Sequence, residues 1–303
     1  MTIEPIPDRP TRADLEQAKD LILSQLLGDF PFTNEAERAH AVALILLPFI
    51  RGLIDGPTPL HLIEKPSPGT GASLLIDIVS YVTTGRPVTA MTEGRDEDEW
   101  RKRLTARLRN SPAIVLIDNL RRRLDSTAFA AAITSTIWED RLLGASETVR
   151  LPVQCVWVAT GNNPGLSGEI ARRTVRIRLD ARQDRPWLRY NFRHPNLREW
   201  VAKHHGHLVR AALIFGQAWL SEGQPVDKSL PVLGMFEAWT SAVGGILMVA
   251  GIPGFLRNLN DFYEMTDPEG STIRWFVSAW WERFKDKSVG VADLWRLSNL
   301  PEG

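Results

Sequence analysis

The stretch from Leu60 to Leu75 constrains the fold of this chain more than any other. It begins with the apolar run of a buried strand, passes through Pro66-Ser67-Pro68-Gly69-Thr70-Gly71, and continues into an apolar segment with helical character. Glycines let the backbone of such a loop turn without a Cβ in the way. The amides that open the following helix then point at an anion, with the helix dipole behind them. This order of parts is typical of a phosphate-binding P-loop.

The P-loop motif is incomplete in this chain. The pattern Gly-x-x-x-x-Gly-Lys-Ser/Thr requires a glycine where Pro66 stands and a lysine where Ala72 stands. Ser73 occupies the position of the hydroxyl that binds Mg²⁺ in complete P-loops. Taken alone, the segment also fits an ordinary strand-turn-helix connection. The predicted nucleotide-binding residues of the loop are Gly69, Thr70, Gly71, Ala72 and Ser73.

Strands and helices alternate after the loop, which predicts an α/β fold with a five-stranded parallel sheet flanked by helices. The predicted strands cover residues 60–64, 87–91, 113–118, 154–159 and 174–179. Amphipathic helices precede this region, and helices rich in Trp and Leu follow it. The predicted organisation is an N-terminal helical segment over residues 1–56, a P-loop ATPase core over 57–182 and a C-terminal helical domain over 183–303.

Polar residues end two of the predicted strands, where ligands bind in parallel sheets. Asp118 ends an apolar run and is suited, with Ser73, to hold Mg²⁺. Asn119 follows it, and an amide orients water but is a poor base, so hydrolysis is expected to be slow or to use a base from elsewhere. Asn162 ends the next strand and is placed to contact the γ-phosphate or the attacking water. A plain Asn-Pro turn is the alternative for this second tip.

Arg172 and Arg173 come just before the last predicted strand. Arginine offers a fixed, fully charged fork to a γ-phosphate, and this position suits an arginine finger that enters a neighbouring subunit's site. A solvated basic turn is the alternative. The order loop, strand with Asp, strand with Asn, arginine pair and strand predicts a P-loop ATPase that uses ATP and Mg²⁺.

Three further segments carry a resemblance to a known family: 138–144 (WEDRLLG), 157–163 (WVATGNN) and 171–173 (ARR). Together with the loop, they resemble the AAA+-type ATPase modules of phages, plasmids and integrated elements, which are similar to superfamily 3 helicases. The resemblance covers most of residues 10–285. It implies an ATP-dependent DNA translocase or helicase that acts as a ring homo-oligomer, expected to be a hexamer. It also implies a primase-polymerase domain or protein as partner, and a DNA-contacting hairpin in the 141–152 segment with Arg141 and Arg150.

Ala72 departs from this family and leaves three explanations open. The first is that Lys65, at the entrance of the loop, supplies the missing charge. A second possibility is that another basic group, such as Arg172 or Arg173 of a neighbouring subunit, replaces it. The third is a degraded loop, natural or engineered, that binds nucleotide weakly; the chain would then be a non-hydrolysing, nucleotide-gated assembly or DNA-binding scaffold.

Composition narrows the remaining function classes. Lys plus Arg and Asp plus Glu both number 36, so any surface for nucleic acid must be a local patch. Cys155 is the only cysteine, which excludes an internal disulfide and a multi-cysteine metal site. The N-terminal residues have no apolar signal segment, and the longest apolar run, 41–50, is too short to cross a bilayer. A cytoplasmic protein with no membrane partner is expected.

Overall fold

A five-stranded parallel sheet forms the centre of the molecule, as predicted. The computed structural model describes residues 3–142, 147–266 and 268–298. The strands of the sheet are β1 Leu60–Lys65, β2 Ala90–Met91, β3 Ile114–Leu120, β6 Val156–Asn162 and β7 Thr174–Arg178. They lie in the order β2-β3-β6-β1-β7, so β6 separates the loop-bearing β1 from β3.

Two helical segments precede the sheet. Helix α1 (Arg12–Lys19) begins with a capping box between Thr11 and Asp14, and its chain continues as a π-helix over Asp20–Leu26. Helix α2 (Glu35–Ile50) begins at Asn34, whose side chain accepts a hydrogen bond from the Glu37 amide. Most of α2 is buried, because apolar residues cover nearly all of its circumference.

Helices and a hairpin fill the connections between the strands. The helices are α3 (Ala72–Thr84), α4 (Glu97–Leu108), α5 (Thr127–Thr134) and the short α6 (Gly168–Ala171). Helix α5 ends at Thr134, and Ile137 begins the antiparallel hairpin of β4 (Ile137–Arg141) and β5 (Thr148–Pro152). The side chains of β4 alternate between exposed and buried positions, which is the period of a strand.

The chain divides into two compact units between Leu259 and Asn260. Long helices pack against one another in the first unit. Helix α7 (Leu197–Ser221) packs on α1, α2, α3 and α8 (Glu237–Val249). The boundaries predicted near residues 56 and 182 both lie inside this unit. Helices α10 (Pro268–Phe284) and α11 (Val291–Ser298) belong to the second unit, and α9 (Leu259–Thr266) begins at the division.

A buried ion pair joins α2 to the sheet edge. The carboxylate of Glu37, which is fully buried, accepts hydrogen bonds from Arg176 Nε at 3.1 Å and from the Arg178 amide at 2.7 Å. Asn258 Nδ2 donates to the same carboxylate at 2.9 Å. The charge of Glu37 is therefore compensated on several sides, which a fully buried carboxylate requires. Within the described ranges, no helix has the length and apolarity needed to cross a membrane.

Candidate nucleotide-binding site

The loop between β1 and α3 has the backbone of an anion cradle. Gly69 and Gly71 adopt left-handed conformations with φ of 81° and 111°, which glycine reaches without steric cost. Thr70 Oγ1 donates to the Ser67 carbonyl at 2.7 Å and closes the turn. The backbone amides of residues 69–74 form no hydrogen bond within the described part of the chain. They lie at the start of a helix, where unpaired amides and the helix dipole favour a phosphate.

Lys65 ends β1 on the same face of the sheet as Asp118. The register pairs Lys65 with Asn162 and places Thr160 and Asp118 on that face. Burial lowers the pKa of Lys65, and the nearby Asp118 carboxylate acts against this shift. Among the described residues, the Lys65 ammonium has no ion pair or hydrogen bond. The half-buried ammonium is therefore left to meet an anion from outside the chain.

The tip of β3 presents one polar side chain inward and another to solvent. Asp118 Oδ1 accepts a hydrogen bond from Thr160 Oγ1 at 2.6 Å, whereas Oδ2 accepts none from the described residues. Asn119 is exposed and has φ of 58°, a left-handed conformation that asparagine tolerates. The backbone amide of Asn119 donates to Thr160 Oγ1 at 2.8 Å. The strand regains its pairing at Leu120, opposite Gly161, after this irregularity.

Three further predicted site residues, Ala72, Ser73 and Asn162, lie around the loop and differ in how well they suit Mg²⁺ and phosphate. Ser73 is exposed in the first turn of α3, and Asn162 is exposed at the tip of β6. A hydroxyl and a carboxylate are hard oxygen donors of the kind that Mg²⁺ prefers. Ala72 is only 1% exposed, so a lysine at this position needs its neighbours to move. The roles of all these residues stay predictions.

A cavity of about 220 Å³ opens beside the loop, and no local sequence pattern indicates it. Phe30 and Phe192 line it together with the loop glycines; polar groups come from Arg189, His194, Asn196 and Arg198. The cavity joins segments more than 150 residues apart in the chain, Asp29–Phe30 and 186–198. An apolar cavity with a few polar groups beside an anion cradle suits the base and sugar of a nucleotide.

Segment 186–198 is fastened across the loop. Arg189 donates to the Asp29 carbonyl at 2.7 Å, and the Arg193 amide donates to the Asp29 carboxylate at 2.7 Å. Arg198 forms an ion pair with Asp77 on α3. A Cβ at Gly69 would lie 2.9 Å from the Cβ of Trp187, so the segment comes as close to the loop as a glycine permits.

Arg172 and Arg173 lie at the amino end of β7, whereas the loop leaves the carboxyl end of the neighbouring strand β1. The Arg173 carbonyl accepts from the Leu60 amide at the start of β1, five residues before Lys65. Arg173 forms an ion pair with Glu169 at 3.3 Å. Arg172 is exposed, and the only hydrogen bond that its side chain forms in the described chain goes to the Gly168 carbonyl. The structure does not bring either arginine to the loop of its own chain.

The hairpin β4-β5 is held by its inner face. Trp138 Nε1 donates to Thr105 Oγ1 at 2.9 Å, and Asp140 pairs with Arg101 at 2.7 Å, so the hairpin is anchored on α4. On the outer face, Arg150 forms an ion pair with Glu139 at 3.1 Å, while the Arg141 side chain is exposed. Residues 143–146, which include the end of the 138–144 segment, lie outside the described residues.

Comparison with known proteins found no family model and no curated protein that matches this chain. Among solved structures, it is similar to the NrS-1 C-terminal region, with 13% identity, a TM-score of 0.48 and coverage of 98% of this chain and 64% of that chain. A second is the SCCmec type IV Cch active helicase, with 12% identity, a TM-score of 0.36 and coverage of 88% and 52%. A third is the JCV helicase, with 11% identity, a TM-score of 0.30 and coverage of 88% and 71%. The chain therefore spans about two thirds of the first of these structures and about half of the second.

Proposed function

We propose that this chain binds ATP with Mg²⁺ and acts as the ATP-dependent DNA translocase or helicase module of a mobile-element replication protein. One observation carries the nucleotide-binding part: a half-buried Lys65 without a partner in the described chain lies beside Asp118, next to a loop with unpaired amides. A buried cation costs free energy unless an anion meets it. A nucleotide phosphate supplies that anion.

Each group at this edge then has a chemical role. The amides of residues 69–74 hold the phosphates, and Lys65 supplies the charge that a lysine at position 72 supplies in complete P-loops. Ser73 and Asp118 offer oxygens to Mg²⁺, which neutralises charge on the phosphates when bound. Asn162 contacts the terminal phosphate, and Asn119 orients water without serving as a strong base.

The ring and the DNA contact rest on residues away from the loop. Arg172 is exposed at the amino end of β7, the outermost strand of the sheet, where a second copy of the chain can receive it. A residue in that position serves a site in trans and so requires an oligomer. For DNA, Arg141 and Arg150 are both exposed cations of the hairpin, and Arg150 must first give up its contact with Glu139.

A second candidate function is a nucleotide-gated scaffold that binds ATP without hydrolysing it. Two residues favour it: Asn119 stands where a catalytic glutamate is expected, and Ala72 removes the loop lysine. Both candidates require nucleotide binding, and only the first requires turnover.

An ATPase assay with and without single-stranded DNA, paired with molecular mass in solution, separates the candidates. The motor predicts slow turnover that DNA stimulates, a mass that rises with ATP, and loss of turnover in Asp118→Asn. Binding without hydrolysis under all conditions favours the scaffold. A chain that stays monomeric at micromolar concentration with ATP and DNA contradicts the motor.

A further inference from the structure

Thr160 is a buried hydroxyl at the centre of the candidate site that the P-loop pattern does not include. It lies on β6, between the loop strand β1 and the Asp118 strand β3, and it is 1% exposed. It stands two residues before Asn162, so it points to the same face of the sheet. Its hydroxyl forms hydrogen bonds with two residues near the tip of β3, Asp118 and Asn119.

The two hydrogen bonds of Thr160 fix the direction of its proton. The backbone amide of Asn119 donates to Oγ1 at 2.8 Å, so this bond occupies a lone pair of the hydroxyl oxygen. The hydroxyl proton then points at Asp118 Oδ1, 2.6 Å away, in the short geometry of a bond to a carboxylate. One oxygen of Asp118 is thereby held, and the other, Oδ2, remains available.

We propose that Thr160 is a positioning residue that holds the Asp118 carboxylate in the orientation needed to bind Mg²⁺ beside the nucleotide. A carboxylate that is hydrogen-bonded through one oxygen presents the other in a fixed direction. The same hydroxyl accepts a hydrogen bond from the backbone amide of Asn119, so the metal-binding acid and the residue whose side chain would orient water share one support. This inference rests on the proposed nucleotide function and concerns the metal rather than the nucleotide.

The test is the Mg²⁺ dependence of nucleotide binding. A fluorescent ATP analogue is titrated in EDTA and then at increasing MgCl₂, for wild type, Thr160→Val and Thr160→Ser. Thr160→Val keeps the shape of the side chain and removes the hydroxyl, and it is expected to raise the Mg²⁺ midpoint by about tenfold, the scale seen when a supporting partner of a metal ligand is lost. Binding in EDTA should be unchanged, and Thr160→Ser should restore the wild-type midpoint.

Thr174→Val is the matched control. Thr174 is also a buried strand threonine, whose hydroxyl donates to the Ile170 carbonyl at 2.7 Å, but it lies at the amino end of β7, away from the loop at the carboxyl ends of the strands. Its loss should leave the Mg²⁺ midpoint unchanged. Thermal unfolding of both valine variants shows any effect on stability, and a midpoint shift that Thr174→Val shares at equal stability loss overturns the proposal.

Other outcomes decide the matter as well. If Thr160→Val folds and binds the analogue with the wild-type Mg²⁺ midpoint, Thr160 supports only the backbone and the inference is wrong. If Thr160→Val does not fold, Thr160→Ala, which removes the hydroxyl without filling its space, takes its place with the same expected shift. Wild-type protein that binds no analogue in EDTA or Mg²⁺ overturns the proposed function itself, a result distinct from an unmoved midpoint.

Discussion

Lys65 lies beside Asp118 although their strands are not neighbours in the sheet. Strand β6 runs between β1 and β3, and the two side chains lie on one face of the sheet near its carboxyl end. The Asp118 carboxylate favours the charged form of Lys65, while burial disfavours it. A cation and a carboxylate thus lie on one face beside the glycine loop, and the proposed function uses both because the loop has no lysine of its own.

Acid should destabilise the fold through His61. Burial lowers the pKa of this histidine to about 3, against 6.5 in the unfolded chain. Because the unfolded state takes up a proton first, stability is lost as the pH falls from about 6.5 toward 3, by about 2 kcal/mol at pH 5. Urea unfolding at pH 7 and pH 5 should show a smaller loss for His61→Leu. The exposed His207→Gln should follow the wild type, and an equal loss in all three would contradict this account.

The sequence predicts the sheet better than the site, for a physical reason. Buried parallel strands read as continuous apolar runs, so the strand that ends at Asp118 and the loop after β1 are visible along the chain. The placement of Lys65 and Asp118 on one face depends instead on strand order, which local pattern does not contain. The cavity beside Gly69 joins distant segments, so it too is set by tertiary packing. Only Thr160 carried a local signal, since its two-residue spacing from Asn162 puts both on one face.

The buried ion pair of Glu37 should be essential to the fold. Glu37→Ala leaves Arg176 buried without its carboxylate, and this should reduce the free energy of unfolding by about 3–5 kcal/mol. Glu199→Ala is the control, because its pair with Lys203 is largely exposed and should contribute less than about 1 kcal/mol. Denaturant unfolding of the two variants gives the comparison, and equal losses would show that the buried pair has no special weight.

Gly69→Ala should damage the loop without unfolding the protein. The left-handed φ of 81° disfavours a side chain by about 1–2 kcal/mol, and the new Cβ would lie 2.9 Å from that of Trp187. We expect nucleotide affinity to fall by roughly tenfold, which corresponds to about 1.4 kcal/mol. Gly52→Ala, where a Cβ meets nothing within 4 Å, should bind like wild type in the same fluorescence titration.

Arg172 should act across a subunit boundary. Arg172→Ala should lower turnover by about a thousandfold or more, the range of an arginine finger, while nucleotide binding and fold persist. Arg173→Ala should have a smaller effect, because Arg173 is bound to Glu169. The double variant should abolish turnover. Mixing Arg172→Ala with Asp118→Asn subunits should restore part of the activity, and a mixture no more active than its components would rule out action in trans.

The central claim is that Lys65 replaces the missing lysine of the loop, and nucleotide affinity measured with a fluorescent ATP analogue tests it most directly. Lys65→Ala should weaken binding by about 1.5–3 kcal/mol, the scale of a charge-assisted hydrogen bond, whereas Ala72→Lys should be neutral or disruptive because position 72 is buried. Lys203→Ala, at an exposed lysine on α7, should bind like wild type. The opposite pattern, with Lys65→Ala unchanged and Ala72→Lys tighter than wild type, would contradict the account.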